Sequence, residues 1–408
     1  MKPLGPIPPG FSALNGELAI DGVPVSELVA RAGGTPLFVY SSAMIRSRVA
    51  ALRAAMPGNL AIHYAVKANP YPPVLQLLSE LVDGFDIASG GELAIVRAAG
   101  IDPALVSFAG PGKRDSELAA AIAAGVTLNL ESEGEAERAL TIAGSLGVAP
   151  RLAIRVNPEF DLKGSGMKMG GGAKPFGIDA ERVPALARRI LASGAEWRGF
   201  HIFAGSQALD ALAIAETQSQ SLELAARLAG ASGAALPHCN LGGGFGIPYF
   251  PGDHALGIET VGARLGERMA NLPPELAETH FCIELGRYLV GEAGVYLTRI
   301  VDRKVSHGEI FLVVDGGLHH QLAASGNFGT VVRRNYPSAI ATRFDVAADE
   351  EASIVGCLCT PLDILANKAG FPRADVGDIA AIFCAGAYGA SASPSAFLGQ
   401  GPAREMLV

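Results

Sequence analysis

The stretch "LAIHYAVKANP" (residues 60–70) decides how this chain is read. Leu60, Ile62, Tyr64 and Val66 alternate with less apolar neighbours, the period of a strand with one face buried. Lys67 follows at once, and Asn69-Pro70 stops the run. A lysine at a strand end is either an ordinary solvated amine or a nucleophile aimed into a pocket. What surrounds it in the fold decides between the two.

Seven more runs of strand character follow: 84–89, 105–110, 126–132, 151–157, 199–205, 238–244 and 281–286. Between them lie Ala/Leu/Glu/Arg-rich stretches at helical period, such as "SELAAAIAAG" and "EAERALTIAGSLG". Eight strand–helix units match a (β/α)8 barrel, and the span fits its usual ~250 residues. An open doubly wound sheet with extra strands is the competing architecture. After residue 290 helical periodicity fades, and "GVYLTRIVDRKVSHGEIFLVVDGG" and "DIAAIFCAG" read as strands and turns. The domains expected are therefore a barrel over 36–290 and a mainly β domain from 1–35 plus 291–408.

Composition excludes several classes. Of the 408 residues 49% are hydrophobic and 18% charged, so large cores can form and disorder is disfavoured. A net charge of −8 without a basic run argues against nucleic acid or an anionic membrane as partner. No apolar stretch approaches the roughly 20 residues of a spanning helix. "MKPLGPIPPG" lacks the apolar run of a secretory signal. Five scattered cysteines suit reduced thiols, and a cytoplasmic location is expected.

Barrel active sites gather at the C-terminal ends of the strands. Those ends carry Lys67, Asp86, Arg155, Asn157, His201, Glu284 and, just beyond, Arg287. The seventh run opens into Gly242-Gly243-Gly244-Phe245-Gly246, a nest whose backbone N–H groups suit a phosphate. A dinucleotide fingerprint fails there, because the third glycine is replaced by Ile247 or Tyr249 according to the register. A phosphate nest facing a lysine suggests pyridoxal 5'-phosphate, for which Glu284 could keep the ring nitrogen protonated and His201 could cover a ring face. His319 and His320 are adjacent and would point to opposite faces of a strand, so no metal pair is expected. Cys357-x-Cys359 lacks redox spacing.

With "YAVKAN", "GFDIASGGEL", "RVNP", "HIFAGSQ", "LGGGFGIPY", "ELGRYLV", "VDGG" and "GAY" in order, residues 35–400 resemble the pyridoxal-phosphate decarboxylases of the diaminopimelate/ornithine decarboxylase family. The resemblance implies an alanine-racemase-type barrel, a C-terminal β-barrel-like domain, and a head-to-tail homodimer with shared active sites. Carried over, Lys67 would bind the cofactor covalently, with Asp86 beside it, His201 on the ring and Glu284 on the ring nitrogen. Gly242, Gly243, Gly244, Ser206, Gly286, Arg287 and Tyr388 would complete the cofactor site. Arg287, Thr360, Asp363 and Tyr388 would face the substrate, and Cys359 would be the general acid reaching the partner's site.

Three departures stand out. Ser206 lies five residues after His201, further than in the family, which weakens its assignment to the phosphate. Thr360 replaces the acid that reads a distal ammonium. After "DGG", "LHHQLAASGNFGT" lacks the Arg and Tyr that grip diaminopimelate. The glycine-rich "GSGMKMGGGAKPFG" (164–177) is expected to be a surface loop, with a substrate lid as the alternative; with "CTPLD" it resembles a specialised branch that includes enzymes of carrier-linked or conjugated amino acids. Decarboxylation of such a substrate is the leading expectation. Free diaminopimelate is the runner-up; a non-catalytic cofactor-binding homologue and a racemase are the readings from other classes.

Overall fold

The computed structural model describes residues 1–326 and 333–408; the end of the segment after "DGG", residues 327–330, lies outside them. The chain forms two compact units. One comprises Val49–Gly246 and Ala255–Gly286, the other Met1–Arg48, Ile247–His254 and Arg287–Val408.

The first unit is the barrel. Its strands are β1 (Ala61–Ala65), β2 (Gly84–Ile87), β3 (Val106–Phe108) and β4 (Thr127–Leu130). The ring continues with β5 (Arg151–Asn157), β6 (Glu196–Ile202), β7 (His238–Asn240) and β8 (His280–Leu285). All neighbours are parallel, and β8 pairs with β1 to close the ring. The open sheet is thereby excluded.

Local chemistry sets the helices between strands. Ser89 and Ser132 cap Gly90–Ala98 and Glu133–Leu146 by accepting the N–H of Glu92 and of Glu135. Asp210 caps Ala211–Ser232, which ends at left-handed Gly233. In Val183–Leu191 the buried side chains are Val183, Leu186, Ala187 and Ile190, one stripe at helical spacing laid on the barrel. Barrels usually fill their interior with aliphatic layers. Here polar residues intrude on the inner wall, with His63, Asp86, Ser107, Asn129, Arg155, His201 and Glu284 all lining interior cavities. That departure creates the site.

The second unit is strand-rich. The long strand Gly294–Ser306 pairs with Glu309–Val314, with Ile379–Ile382 and with Leu37–Tyr40. Leu37–Tyr40 also takes Arg404–Leu407 in parallel. Leu18, Ile20, Leu37, Val295, Ile379 and Phe383 belong to its core. His319 and His320 sit in a turn rather than on a strand, with ring centroids 3.8 Å apart. Among the described residues no group of His, Cys, Asp or Glu is arranged to hold a metal, and no helix is long and apolar enough to cross a membrane.

Candidate active site

Strand β1 stops as its sequence demands. Tyr64 donates its hydroxyl to the Asn69 carbonyl at 3.0 Å, and Asn69 Oδ1 accepts the Tyr71 N–H at 3.0 Å. The resulting turn, Val66–Ala68, buries Val66 and Ala68 and leaves the Lys67 side chain open. Its Nζ stands 5.7 Å from the centre of the Phe203 ring. Gly286, after β8, permits a close approach: a Cβ there would come within 2.8 Å of Ala68.

Lys67, Asp86, His201 and Glu284 line one cavity of about 210 Å³ at the C-terminal rim. His201 Nε2 lies 2.7 Å from Glu284 Oε2, and Asn240 donates to the same oxygen at 3.3 Å. Burial alone would raise the Glu284 carboxyl, but His201, then Lys67 and Arg155, hold it below the usual carboxylate range. Asp86 is braced by the Ser107 hydroxyl, which itself accepts from Asn129 at 3.0 Å. His63 Nδ1 stands 3.5 Å from the other Asp86 oxygen.

The glycine nest is a true close approach. Gly242 and Gly244 have φ of 70° and 84°, and a Cβ on Gly243 would lie 1.9 Å from the Glu284 carbonyl oxygen. Larger residues cannot occupy this corner. Ser206 lies in a two-residue strand (Gly205–Ser206) paired with Met167–Lys168, and a Cβ on Gly244 would come within 2.5 Å of the Gly205 carbonyl oxygen.

That pairing explains the glycine-rich segment. Met169 and Gly170 both donate to the Ala204 carbonyl at 3.1 Å, and Gly171 donates to Pro158 at 3.0 Å. The segment is thereby fastened to the barrel, and Met169 and Phe176 join the cavity wall. Arg155, noted in the sequence only as a strand end, lies 5.1 Å under the Phe176 ring and donates to Glu131 at 2.8 Å. Glu131 also accepts the N–H groups of Gly110 at 2.5 Å and Gly177 at 3.1 Å, so one buried carboxylate ties two rim loops to Arg155.

The remaining candidates belong to the strand-rich unit. Arg287 donates to the Tyr249 hydroxyl at 2.6 Å and stacks 4.7 Å from the Tyr388 ring centre. Burial pushes the Tyr249 phenol up to about 12 despite Arg287 beside it. Tyr388 has φ of 58°, a left-handed conformation that a bulky residue adopts only under constraint. Cys359 is exposed in the turn between Glu350–Val355 and Ile364–Phe371. The Thr360 hydroxyl oxygen accepts the Leu362 N–H at 3.3 Å. Asp363 is buried, and its two oxygens accept the N–H groups of Leu318 at 2.6 Å and Leu358 at 3.0 Å. It braces the cysteine turn rather than presenting a free carboxylate.

Residues 42–291 match the model of the pyridoxal-dependent decarboxylases, pyridoxal binding domain. The chain belongs to that family. It is 34% identical over 379 residues to an L-glutamyl-(BtrI acyl-carrier protein) decarboxylase of Niallia circulans, covering 91% of this chain and 88% of that one. It is 35% identical over 380 residues to the diaminopimelate decarboxylase of Aquifex aeolicus, covering 92% and 87%. Among solved structures, the diaminopimelate decarboxylase from "m. jannaschi" superposes with a TM-score of 0.86 at 26% identity, over 98% of this chain and 92% of that one.

The decarboxylase therefore uses pyridoxal 5'-phosphate, and the residues present fit that group. The nest at Gly242–Gly244 admits no side chain, and His201 Nδ1 is buried without a hydrogen-bond partner. In the strand-rich unit, Arg287 Nε is likewise buried and unpartnered, a donor suited to an anion.

Proposed function

We propose that this carboxy-lyase removes the α-carboxylate of an amino-acid unit whose far end is conjugated, as in a carrier-linked substrate. The observation that carries the reading is the set of acids around the rim cavity. Among the described residues these are Asp86 and Glu284, and both are engaged, one by Ser107 and His63, the other by His201 and Asn240. Neither is left to take a distal ammonium, and position 360 offers a neutral threonine. The apolar side chains of Met169, Phe176 and Phe203 in the wall suit an uncharged arm. The carrier-protein substrate in the name of the Niallia relative points the same way. Free diaminopimelate remains the second reading, favoured by the name of the Aquifex relative.

In this reading Lys67 would hold the cofactor covalently, His201 would cover a ring face, and Glu284, held ionised, would keep the ring nitrogen protonated. Gly242 to Gly244 and Gly286 would hold the phosphate, a role the family resemblance also implies for Arg287 and Tyr388. Bound, the cofactor supplies an electron sink for the pair left when the carboxylate departs as carbon dioxide. Cys359, its turn fixed by Asp363, would then deliver a proton to the carbon the carboxylate has left, acting from the partner subunit of a cytoplasmic head-to-tail homodimer.

Carbon dioxide release is to be compared over free diaminopimelate, lysine and ornithine, over glutamate, and over glutamyl-pantetheine and glutamyl carrier protein. Conjugates should be preferred. Thr360→Glu should shift preference toward diamino acids by about one to two orders of magnitude, the roughly 1.5–3 kcal/mol of a charge-assisted hydrogen bond. Efficient turnover of free meso-diaminopimelate by the wild type would restore the second reading.

A further inference from the structure

The opposite end of the barrel holds a second cavity, of about 270 Å³, that decarboxylation does not use. Its wall includes Arg198, His238 and His280 at the N-terminal ends of β6, β7 and β8. Arg198 is there because β6 is irregular. Its register with β5 shifts between Trp197 and Gly199, so Arg198 is the extra residue of a bulge. Bulges re-aim side chains. Gly199 makes this one possible, with φ of 94° and a Cβ position only 1.9 Å from the His238 carbonyl oxygen.

The aimed guanidinium is incompletely satisfied. Its Nη1 donates to Glu196 at 2.9 Å, but Glu196 is shared with Arg151 at 3.4 Å, one carboxylate between two arginines. Arg198 Nε is buried with no hydrogen-bond partner, a cost that native interiors rarely leave unmet. His238 and His280 stand opposite each other in register, ring centroids 5.5 Å apart. The acid in the wall, Asp83, is taken by Arg53 at 3.0 Å and the Ile62 N–H at 2.7 Å. The wall thus combines a guanidinium, its orphaned N–H and two imidazoles that can donate.

We propose that this mouth binds a small oxyanion, a phosphate or a carboxylate, through Arg198 Nε–H with His238 and His280. The chemistry is the one guanidinium groups serve elsewhere: a planar donor meeting a planar or tetrahedral anion by charge-assisted hydrogen bonds. The volume is several times the ~30 Å³ share of a water, enough for a phosphate ester or a short dicarboxylate. The proton affinity of His238 is lowered first by burial and then by Arg198, His280 and Arg151, against the opposing effect of Glu196.

The test uses the holoenzyme, whose cofactor fills its own phosphate site. Calorimetric titration with inorganic phosphate, and separately with succinate, should give a Kd below about 1 mM for one of them, and their ranking tells a phosphoryl from a carboxylate ligand. Arg198→Met should weaken binding at least about tenfold. The NMR titration of His238 should move upward in the presence of the bound anion. His280→Gln, which spares the bulge, should weaken binding in the same way should Arg198→Met fail to fold. Absence of binding by both anions at about 10 mM, or unchanged affinity in a folded Arg198→Met protein, overturns the proposal.

Discussion

The two ends of one barrel make an instructive pair. Both hold cavities of similar size, about 210 and 270 Å³, and both are lined by histidine, arginine and carboxylate. They differ in how charge is paired. At the C-terminal rim Glu284 faces His201 and Lys67, and Arg155 is answered by Glu131. At the N-terminal mouth two arginines share Glu196 beside two histidines. Proton affinity falls at both ends, with opposite results for charge: a carboxylate is kept ionised at the rim, an imidazole is kept neutral at the mouth. Cavity volume does not locate chemistry. A lysine on the C-terminal side, among converging opposite charges, does.

The sharpest way to break this comparison is to remove the lysine. Lys67→Ala should lose the visible absorbance of the covalently held cofactor and cut turnover by roughly 10³-fold or more, since it removes a covalent and proton-transfer role together. Borohydride should trap the cofactor on the peptide containing Lys67 in the wild type. Trapping on another lysine would move the site away from the rim.

Next in size is the rim's charge pairing. Glu131→Ala leaves Arg155 buried without its partner and strips an acceptor from Gly110 and Gly177. Removing one half of a buried pair costs about 3–5 kcal/mol, so the urea midpoint should fall with little change in slope. A midpoint shift of less than ~1 kcal/mol equivalent would mean that the rim is no better paired than the mouth. Glu284→Gln should fold, because the amide oxygen can still accept from Asn240. It cannot carry charge, so kcat should drop by about ten- to a hundredfold, the 1.5–3 kcal/mol of a charged hydrogen bond, with a changed cofactor spectrum. A full-rate Gln variant would remove Glu284 from the chemistry.

Much of this was legible in the sequence, for physical reasons. The eight strand runs alternate or are continuously apolar, and the strands found lie within or near each of them. Lys67, Asp86, His201 and Glu284 were visible because a parallel barrel gathers strand ends on one rim. Pairings that exist only after closure were not visible. Glu131 meets Arg155 because β4 and β5 are neighbours, and nothing in "VTLNLES" announces that contact. The segment 164–177 looked like a loop because glycine has no burial pattern; its anchoring depends on Ala204, which lies between His201 and Ser206. Phe203, beside it, lines the cavity. The bulge that turns Arg198 inward left one trace, the glycine with which the run 199–205 begins.

The smallest effect tests the mouth alone. Burial, with Arg198, His280 and Arg151, pushes the His238 pKa from its ordinary 6.5 to about 4. A folded-state value below the unfolded one means that folding favours the neutral ring. The stability this confers is complete above pH 6.5 and is lost as pH falls toward 4, because the unfolded chain takes up the proton first. Glu284 does not titrate in that window, since its shift lies between 4.5 and about 2. His63 is shifted the other way: burial opposes its charge, but Cys282 and Asp86 outweigh burial. Its contribution is therefore intact below pH 6.5 and is lost only as pH rises. His320, also lowered to about 4 in the strand-rich unit, is common to both proteins and cancels in the difference. His238→Gln should then match the wild type's Tm to within a few degrees at pH 8 and lose less of it on going to pH 5. Parallel Tm curves over pH 8 to 5 would show that neither burial nor the arginines of the mouth keep His238 neutral, and the contrast between the two ends would fail at its weaker side.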